Sequence, residues 1–234
     1  MDVLIDGLCR DEEDKLVFSL IRYIREKNLK AGDKLPSIRA FATELGVSQS
    51  QVRSGVLRAA SMGLIKILPR SGCYVADMGL SKIVGPFALL FEAMYMNDQP
   101  PLFHIYALKT TLERGIAKRV ADIRTVEDLA EMKFILEKMS TVTDQADMIR
   151  LDEEYHAKLA NASRNPLYFS LITAIHSILR PSRFRYKDFV SEFPQSLKDH
   201  TDLFEAIKDQ DGQRAGDIAE RHSNRRMRRL TQDY

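Results

Sequence analysis

Asp152 and His156 stand four residues apart in a stretch of helical periodicity, which puts both side chains on one face of a helix. His200 lies 11 residues before Asp211 and His222 lies 11 after it. Ser196–Lys208 and Gln213–Leu230 read as two helices joined by the turn Asp209–Gly212. In an antiparallel hairpin the two imidazoles then stand at the same height, each about 16 Å from the turn. If both face inward, one hairpin supplies two imidazoles and the Asp152/His156 helix supplies two more ligands. Three histidines and one carboxylate suit zinc, nickel or a similar divalent ion and leave positions open for a ligand. Separate histidines also serve as hydrogen-bonding residues of a core, and spacing alone leaves both readings open. Of the remaining histidines, His104 reads as a surface or packing residue, and His176 as a core residue that could line a pocket. Arg180, Arg183 and Arg185 follow closely, where one could pair with an acid of the set or all could lie on a solvated turn.

A metal site with open positions could activate water for hydrolysis or lyase chemistry. Nothing in the sequence ties a general base to such a site, no Gly-x-Ser-x-Gly elbow occurs, and no phosphate loop is present. A purely structural metal is a third possibility. Composition is that of an ordinary globular protein: 234 residues with 44% hydrophobic and 29% charged side chains indicate neither disorder nor a fibrous repeat. Cys9 and Cys73 cannot build a disulfide framework and fit a reducing compartment. The acidic start, Met1-Asp2-Val3-Leu4-Ile5-Asp6, is unlike a secretory signal. No apolar run approaches the roughly 18 residues that span a bilayer, the best stretch being the core-sized Pro86 to Phe91. The expectation is a cytoplasmic protein with no membrane partner.

The near-neutral balance, 35 Lys+Arg against 33 Asp+Glu, hides a local asymmetry. From Lys34 to Arg70 the basic residues are Lys34, Arg39, Arg53, Arg58, Lys66 and Arg70, and the only acid is Glu44. Such an island suits phosphate contacts. The arm before it has the opposite sign, Asp11-Glu12-Glu13-Asp14, and Arg225-Arg226 with Arg228-Arg229 form a second basic cluster that would offset a helix dipole. Within the first third, Leu16, Leu20, Ile21 and Ile24 recur at helical spacing. Ser37 can cap a short helix holding Ile38, Phe41, Ala42 and Leu45, which Gly46 closes. Ser48 with Gln51 has the capping-box spacing for a next helix, which places Val52, Val56 and Leu57 inward. Two short helices about a Gly46-Val47 turn describe a helix-turn-helix, with Ala42 at the crossing. Leu64–Leu68, a turn at Pro69–Gly72 and Cys73–Ala76 read as a β-hairpin wing.

Those residues resemble a family. Ala31-Gly32-Asp33-Lys34-Leu35-Pro36-Ser37, Leu45-Gly46-Val47-Ser48, Val52-Arg53 and Ser71-Gly72-Cys73-Tyr74-Val75 look like the winged helix of GntR-type bacterial transcription regulators, over roughly residues 14–77. The resemblance implies DNA contacts by Arg39 and Arg53, one to the backbone and one to a guanine edge, and by the wing-tip Gly72 in the minor groove. Ser48, Gln49 and Gln51 complete the DNA-facing set. The family usually has arginine where this chain has Gln49, and glutamine prefers adenine, so the operator departs from the usual half-site. Its common Glu-Ala after the helix arginine is here Ser54-Gly55, and a mid-helix glycine costs about 1 kcal/mol relative to alanine.

Beyond Asp77 the strand signals stop. Long periodic stretches are interrupted near Asn97–Pro101, Ile123–Thr125, Ser140–Asp144, Asn165-Pro166, Pro181, Pro194 and Gly212. The fold class is mainly α: a winged helix-turn-helix over residues 1–78, then an antiparallel bundle of six or seven helices over 79–234. This half resembles the FCD ligand-binding domain of the FadR subfamily, through Leu112-Glu113, Asp152 to His156, Asn165-Pro166, and His200 through Ala206-Ile207 to His222. The resemblance implies that Asp152, His156, His200 and His222 bind a divalent metal, zinc or nickel, that helps hold a small carboxylate effector. Lys109 stands where the family often has an arginine on the pocket wall, keeping the charge without the bidentate fork, and Arg180 joins it as an effector-binding candidate. A homodimer on a two-fold double-stranded DNA operator follows from the same resemblance.

Overall fold

The structure is a computed structural model that describes residues 11–77 and 102–232. Cys9, the Pro86–Phe91 stretch, the break near Asn97–Pro101 and the 78/79 boundary lie outside the described residues. The chain divides into two compact units, residues 1–82 and 83–234.

The first unit holds α1 (Glu12–Glu26), α2 (Ile38–Leu45), α3 (Gln49–Ser61), β1 (Ile65–Leu68) and β2 (Gly72–Val75). Asp11 caps α1 by accepting from Asp14 N, and Ser37 caps α2 by accepting from Ala40 N at 3.2 Å. Gly46 ends α2 at φ +67°, in the left-handed region that a side chain rarely adopts. Val47 N then donates back to Ala42 O at 3.1 Å, closing the tight turn. β1 and β2 pair antiparallel from Ile65↔Val75 to Leu68↔Gly72. The segment before α2 adds a third, short ladder: Val75 N donates to Asp33 O and Leu35 N to Cys73 O, each at 2.8 Å. The core stripe of α1 is Leu16, Val17, Leu20 and Ile24, and that of α3 is Val52, Gly55, Val56 and Ala59. Ile21 and Leu57, placed inward by the sequence pattern, are exposed. On α3 the buried stripe falls at i, i+3, i+4 and i+7 through Val52, Gly55, Val56 and Ala59, and on α1 it runs along Leu16, Val17, Leu20 and Ile24, one position round from Ile21.

Six helices are described in the second unit: α4 (Leu102–Ile123), α5 (Val126–Thr141), α6 (Gln145–Ala162), α7 (Pro166–Arg185), α8 (Phe189–Lys208) and α9 (Gly212–Gln232). Thr125 and Asp128 form a reciprocal capping box at the start of α5, which Arg164 reinforces at 2.6 Å from Asp128. Asn165 caps α7, and Pro166 takes the first helical position, where its missing N–H is not needed. Pro181 and Pro194, read in the sequence as breaks, lie inside α7 and α8. Each forfeits one backbone hydrogen bond, and the burial of Ile178, Leu179, Phe189 and Phe193 around them holds the helices together. α9 lies along α4 with Gly212 and Gly216 against Lys118, where a Cβ on Gly216 would meet Lys118 Cε at 2.8 Å.

The glycine in the middle of α3 has a packing reason. A Cβ on Gly55 would lie 2.6 Å from Leu16 Cβ, so α1 and α3 cross where only a hydrogen fits. Elsewhere Gly→Ala in a helix stabilises by about 1 kcal/mol. Here the near atom is a rigid Cβ, and Gly55→Ala is expected to destabilise by about 1–3 kcal/mol, as overpacking does. Equilibrium denaturation of the full chain checks the sign.

Candidate functional site

The first unit presents a basic surface built on α3. Ser48 Oγ accepts from Gln51 N at 3.2 Å, and Gln51 Oε1 accepts from Ser48 N at 3.0 Å. This reciprocal cap fixes where the helix starts and commits the Gln51 oxygen to its own backbone. Gln49 and Arg53, four apart, share the exposed face of α3 opposite the stripe of Val52, Val56 and Ala59. Arg39 at the start of α2 and Gly72 at the hairpin tip are exposed too, and Gly72 has φ +123°. Arg58, counted in the basic island, is not available to a partner. It forms ion pairs with Asp11, Glu13 and Asp14 at 3.2, 3.3 and 2.8 Å. The acidic arm thus cancels the one arginine at the far end of α3 and leaves Arg39, Arg53, Lys66 and Arg70 without an ion pair among the described residues.

In the second unit α6, α8 and α9 bring Asp152, His156, His200 and His222 together, one donor atom of each lying within 4.8 Å of the others, all four side chains buried. His156 Nε2 and His200 Nε2 face each other at 3.2 Å. Asp152 Oδ1 lies 3.6 Å from His200 Nε2 and 3.9 Å from His156 Nε2. These separations are too long for good carboxylate hydrogen bonds, and Asp152 Oδ1 makes none. Nitrogens tetrahedrally bound at 2.0–2.1 Å would stand about 3.3 Å apart, so the donors fit a shared ion of zinc's kind. The His200 and His222 rings, 4.6 Å apart, carry out the hairpin register read from Asp211.

An outer layer orients these groups. Glu113 Oε1 lies 2.5 Å from His156 Nδ1, and Asp199 Oδ2 lies 3.2 Å from His222 Nδ1. Both contacts turn the opposite nitrogen toward the centre, as carboxylates behind metal-bound histidines do. Glu113 is itself held by Lys109 Nζ at 2.6 Å and by the Ser223 hydroxyl at 2.7 Å. Arg183 donates to Asp152 Oδ2 at 2.9 Å. Burial alone would raise the Asp152 carboxyl, but the buried Arg183 guanidinium beside it holds it well below the usual carboxylate range. Burial lowers His200 and His222 well below 6.5, so both are neutral and able to ligate.

The His176 ring lies tilted 4.8 Å from that of His156, and its Nε2 is 3.8 Å from Glu113. Glu113, His156 and His176 form a second possible ligand group, but its carboxylate already has Lys109 as counter-ion. Lys109 is buried in the cluster, whereas Arg180 is 55% exposed and paired with Glu153. The structure does not bring Arg180 to the cluster. Less than one turn of α7 separates it from Arg183, and it is Arg183 whose position faces the core. His104 is exposed on α4. Sequence reasoning gives Asp199 and Glu113 no role and reads Arg226 only as part of a basic cluster offsetting a helix dipole, whereas its side chain is buried. The signal for Glu113 was there: Lys109 and Glu113 interrupt the apolar stripe of Ile105, Tyr106 and Ile116 on α4.

Comparison with known proteins agrees with this division. Residues 13–75 match the model of the gntR family of bacterial regulatory proteins, and residues 104–225 match that of the FCD domain. The HTH-type transcriptional regulator LutR of Bacillus subtilis (strain 168) is 31% identical over 157 residues, 67% of this chain and 70% of LutR. The galactonate operon transcriptional repressor of Escherichia coli (strain K12) is 25% identical over 228 residues, 94% of this chain and 99% of that protein. The solved structure of Streptococcus agalactiae GntR shares the fold, with a TM-score of 0.70 at 23% identity, covering 92% of this chain and 99% of the other.

Removing the cation behind Asp152 leaves a buried carboxylate unpaired. Arg183→Met in chelator-treated protein is expected to lower stability by about 3–5 kcal/mol, measured by denaturant unfolding. A loss under 1 kcal/mol would show that Asp152 does not depend on Arg183.

Proposed function

Because this chain belongs to the gntR family of bacterial regulatory proteins and carries an FCD domain behind its winged helix-turn-helix, we propose that this DNA-binding transcription regulator has its operator affinity set by a small carboxylate bound beside a divalent metal. The observation that carries the reading is the convergence of Asp152, His156, His200 and His222 on one buried point, with Asp152 Oδ1 lacking a hydrogen bond. Those four residues would hold the ion, zinc or nickel. When bound, it supplies a Lewis-acid anchor for a carboxylate oxygen. Glu113 and Asp199 hold two imidazoles in the ligating orientation, Arg183 keeps Asp152 ionised, and Lys109 adds positive charge beside the cluster. The E. coli relative is named for galactonate, a sugar acid, which agrees with a carboxylate effector and with repression as the mode of control.

On the DNA side, Arg53 reads a guanine edge, Gln49 an adenine, Arg39 holds the phosphate backbone, and the Gly72 turn lets the wing enter the minor groove. Ser48 and Gln51 set the helix start that aims them. The protein acts as a homodimer on a two-fold operator. The effector changes operator affinity to the extent that it binds one pose of the dimer better than the other.

Two variants test the halves separately. Duplexes selected from a random pool by the wild-type protein should be bound about 5- to 150-fold more weakly by Arg53→Ala, a loss of about 1–3 kcal/mol, with an unchanged circular dichroism spectrum. Equal affinity at moderate salt, by fluorescence anisotropy, would remove Arg53 from base readout. His200→Ala should bind zinc at least tenfold more weakly and melt at a lower temperature than metal-loaded wild type, while chelation erases that difference in metal content. Full occupancy by mass spectrometry would take His200 out of the ligand set.

A further inference from the structure

At the tip of the hairpin an arginine stands where the backbone favours a glycine. Ser71 N donates to Leu68 O at 3.1 Å, closing a four-residue turn with Pro69 and Arg70 at its centre. Pro69 can take only a negative φ, and Arg70 has φ +60°. Together these describe a type II turn, whose second central position is usually filled by glycine or asparagine. An arginine there strains the backbone, because its Cβ crowds the carbonyl that follows. The fold gains nothing in return. Arg70 is exposed, and among the described residues its guanidinium has no hydrogen bond or ion pair. Strain that does nothing for the fold points to function.

A second cation is held against the same turn. Lys34 pairs with Tyr74 across the short ladder before α2, and Tyr74 pairs with Lys66 across the hairpin, so the three share one face of the sheet. From there the Lys34 stem leans toward the tip. Its Cε would lie 3.2 Å from a Cβ on Gly72, and its Nζ stands 5.9 Å from the centre of the Tyr74 ring. The Tyr74 hydroxyl leans the same way and shares a 2.6 Å hydrogen bond with Ser71 Oγ. The missing side chain of Gly72 therefore leaves room for the lysine. No acid occurs from Lys66 to Val75, so the tip presents a guanidinium and an ammonium without a carboxylate of the hairpin to neutralise them.

We infer that Arg70 is the side chain the wing inserts into the minor groove, with Lys34 adding charge at the groove edge, and that the operator carries a narrow, A·T-rich minor groove beside each half-site. This deepens the DNA-side reading above and rests on it. An A·T tract narrows the minor groove and concentrates its negative potential, which attracts an inserted cation. A G·C pair places the guanine amino group, a donor, in the same groove. A guanidinium is more weakly hydrated than an ammonium, so the arginine enters and the lysine stays at the rim. Arg70 is thereby a specificity-determining residue for base pairs beyond those that Gln49 and Arg53 reach.

The test is fluorescence anisotropy of the full chain on duplexes that keep the selected half-sites and differ only in the flanks under the wing. Those flanks are built of A·T, inosine·C or G·C pairs; inosine lacks the minor-groove amino group and otherwise presents guanine's major-groove edge. Wild type should bind the A·T and inosine·C duplexes about fivefold or more tightly than the G·C duplex. Arg70→Gly, which relieves the turn, should melt no lower than wild type and bind all three within about twofold of one another. Lys34→Gln should narrow the preference by a lesser factor, and an unchanged preference would remove Lys34 from the groove edge. Equal wild-type affinity for the three flanks overturns the inference, as does inosine·C behaving like G·C. Arg70→Gly that weakens all three by one factor, with a shallower salt dependence, makes Arg70 a phosphate contact and overturns it too. Failure of the underlying reading looks different. Distamycin, which fills A·T minor grooves, should compete with wild type on the A·T flanks; if it does not, the wing is not in the groove and both readings fall. Competition by distamycin together with a flank preference that survives in Arg70→Gly keeps the wing in the groove and rejects Arg70 as its reader.

Discussion

Asp152 has two oxygens in a dry interior, and the protein partners only one of them. Arg183 takes Oδ2, and Oδ1 is left facing two imidazole nitrogens too distant to hydrogen-bond it well. A buried carboxylate is tolerable only when its charge is met, and the surrounding bundle is organised around that need. α7 must cross close enough to deliver Arg183. α8 and α9 must return as a hairpin so that His200 and His222 stand level, and α4 must lay Glu113 against His156. The polar interior is therefore a network in which each member fixes another's orientation or charge, and the apolar residues around it, Ile149, Tyr155, Leu179 and Phe189 among them, hold that network dry.

The winged unit obeys a different constraint, one of access. Its core is apolar and its polar groups are settled locally: Ser37 and Ser48 cap helices, Gly46 turns the chain, and Arg58 is neutralised by Asp11, Glu13 and Asp14. Exposed cations stand at the start of α2, on the outer face of α3 and on the hairpin, and also along α1 and the segment after it at Arg22, Arg25, Lys27, Lys30 and Lys34. The acidic arm trims the positive surface to the end of α3 that carries Gln49 and Arg53.

Local signals in the sequence were faithful. The two capping boxes, the left-handed Gly46, the antiparallel hairpin and the equal spacing of His200 and His222 about Asp211 all follow from chemistry within a few turns of chain. Features needing a distant partner were hidden. Leu57 and Val56 are equally apolar, and only the path of α1 decides which is buried. Gly55 made no sense until Leu16 stood over it. Arg180 and Arg183 differ by less than one helical turn, and their roles separate only when Asp152 and Glu153 present themselves from α6. Pro181 and Pro194 read as breaks because local propensity counts a lost hydrogen bond and not the burial of the neighbouring apolar side chains.

The four convergent side chains fall into two local pairs. Asp152 and His156 sit on one helix, and His200 and His222 belong to one hairpin whose Asp199 partner lies only 23 residues from His222. The single long connection between pairs is the 44 residues from His156 to His200. Because the entropy of closing a flexible loop grows only logarithmically with its length, most of the ordering needed to assemble the cluster is already achieved when the helix and the hairpin form. In the language of chain topology, the site is a clasp between two prefabricated halves, and anything that grips both halves acts as a cross-link holding α6 to the α8–α9 hairpin.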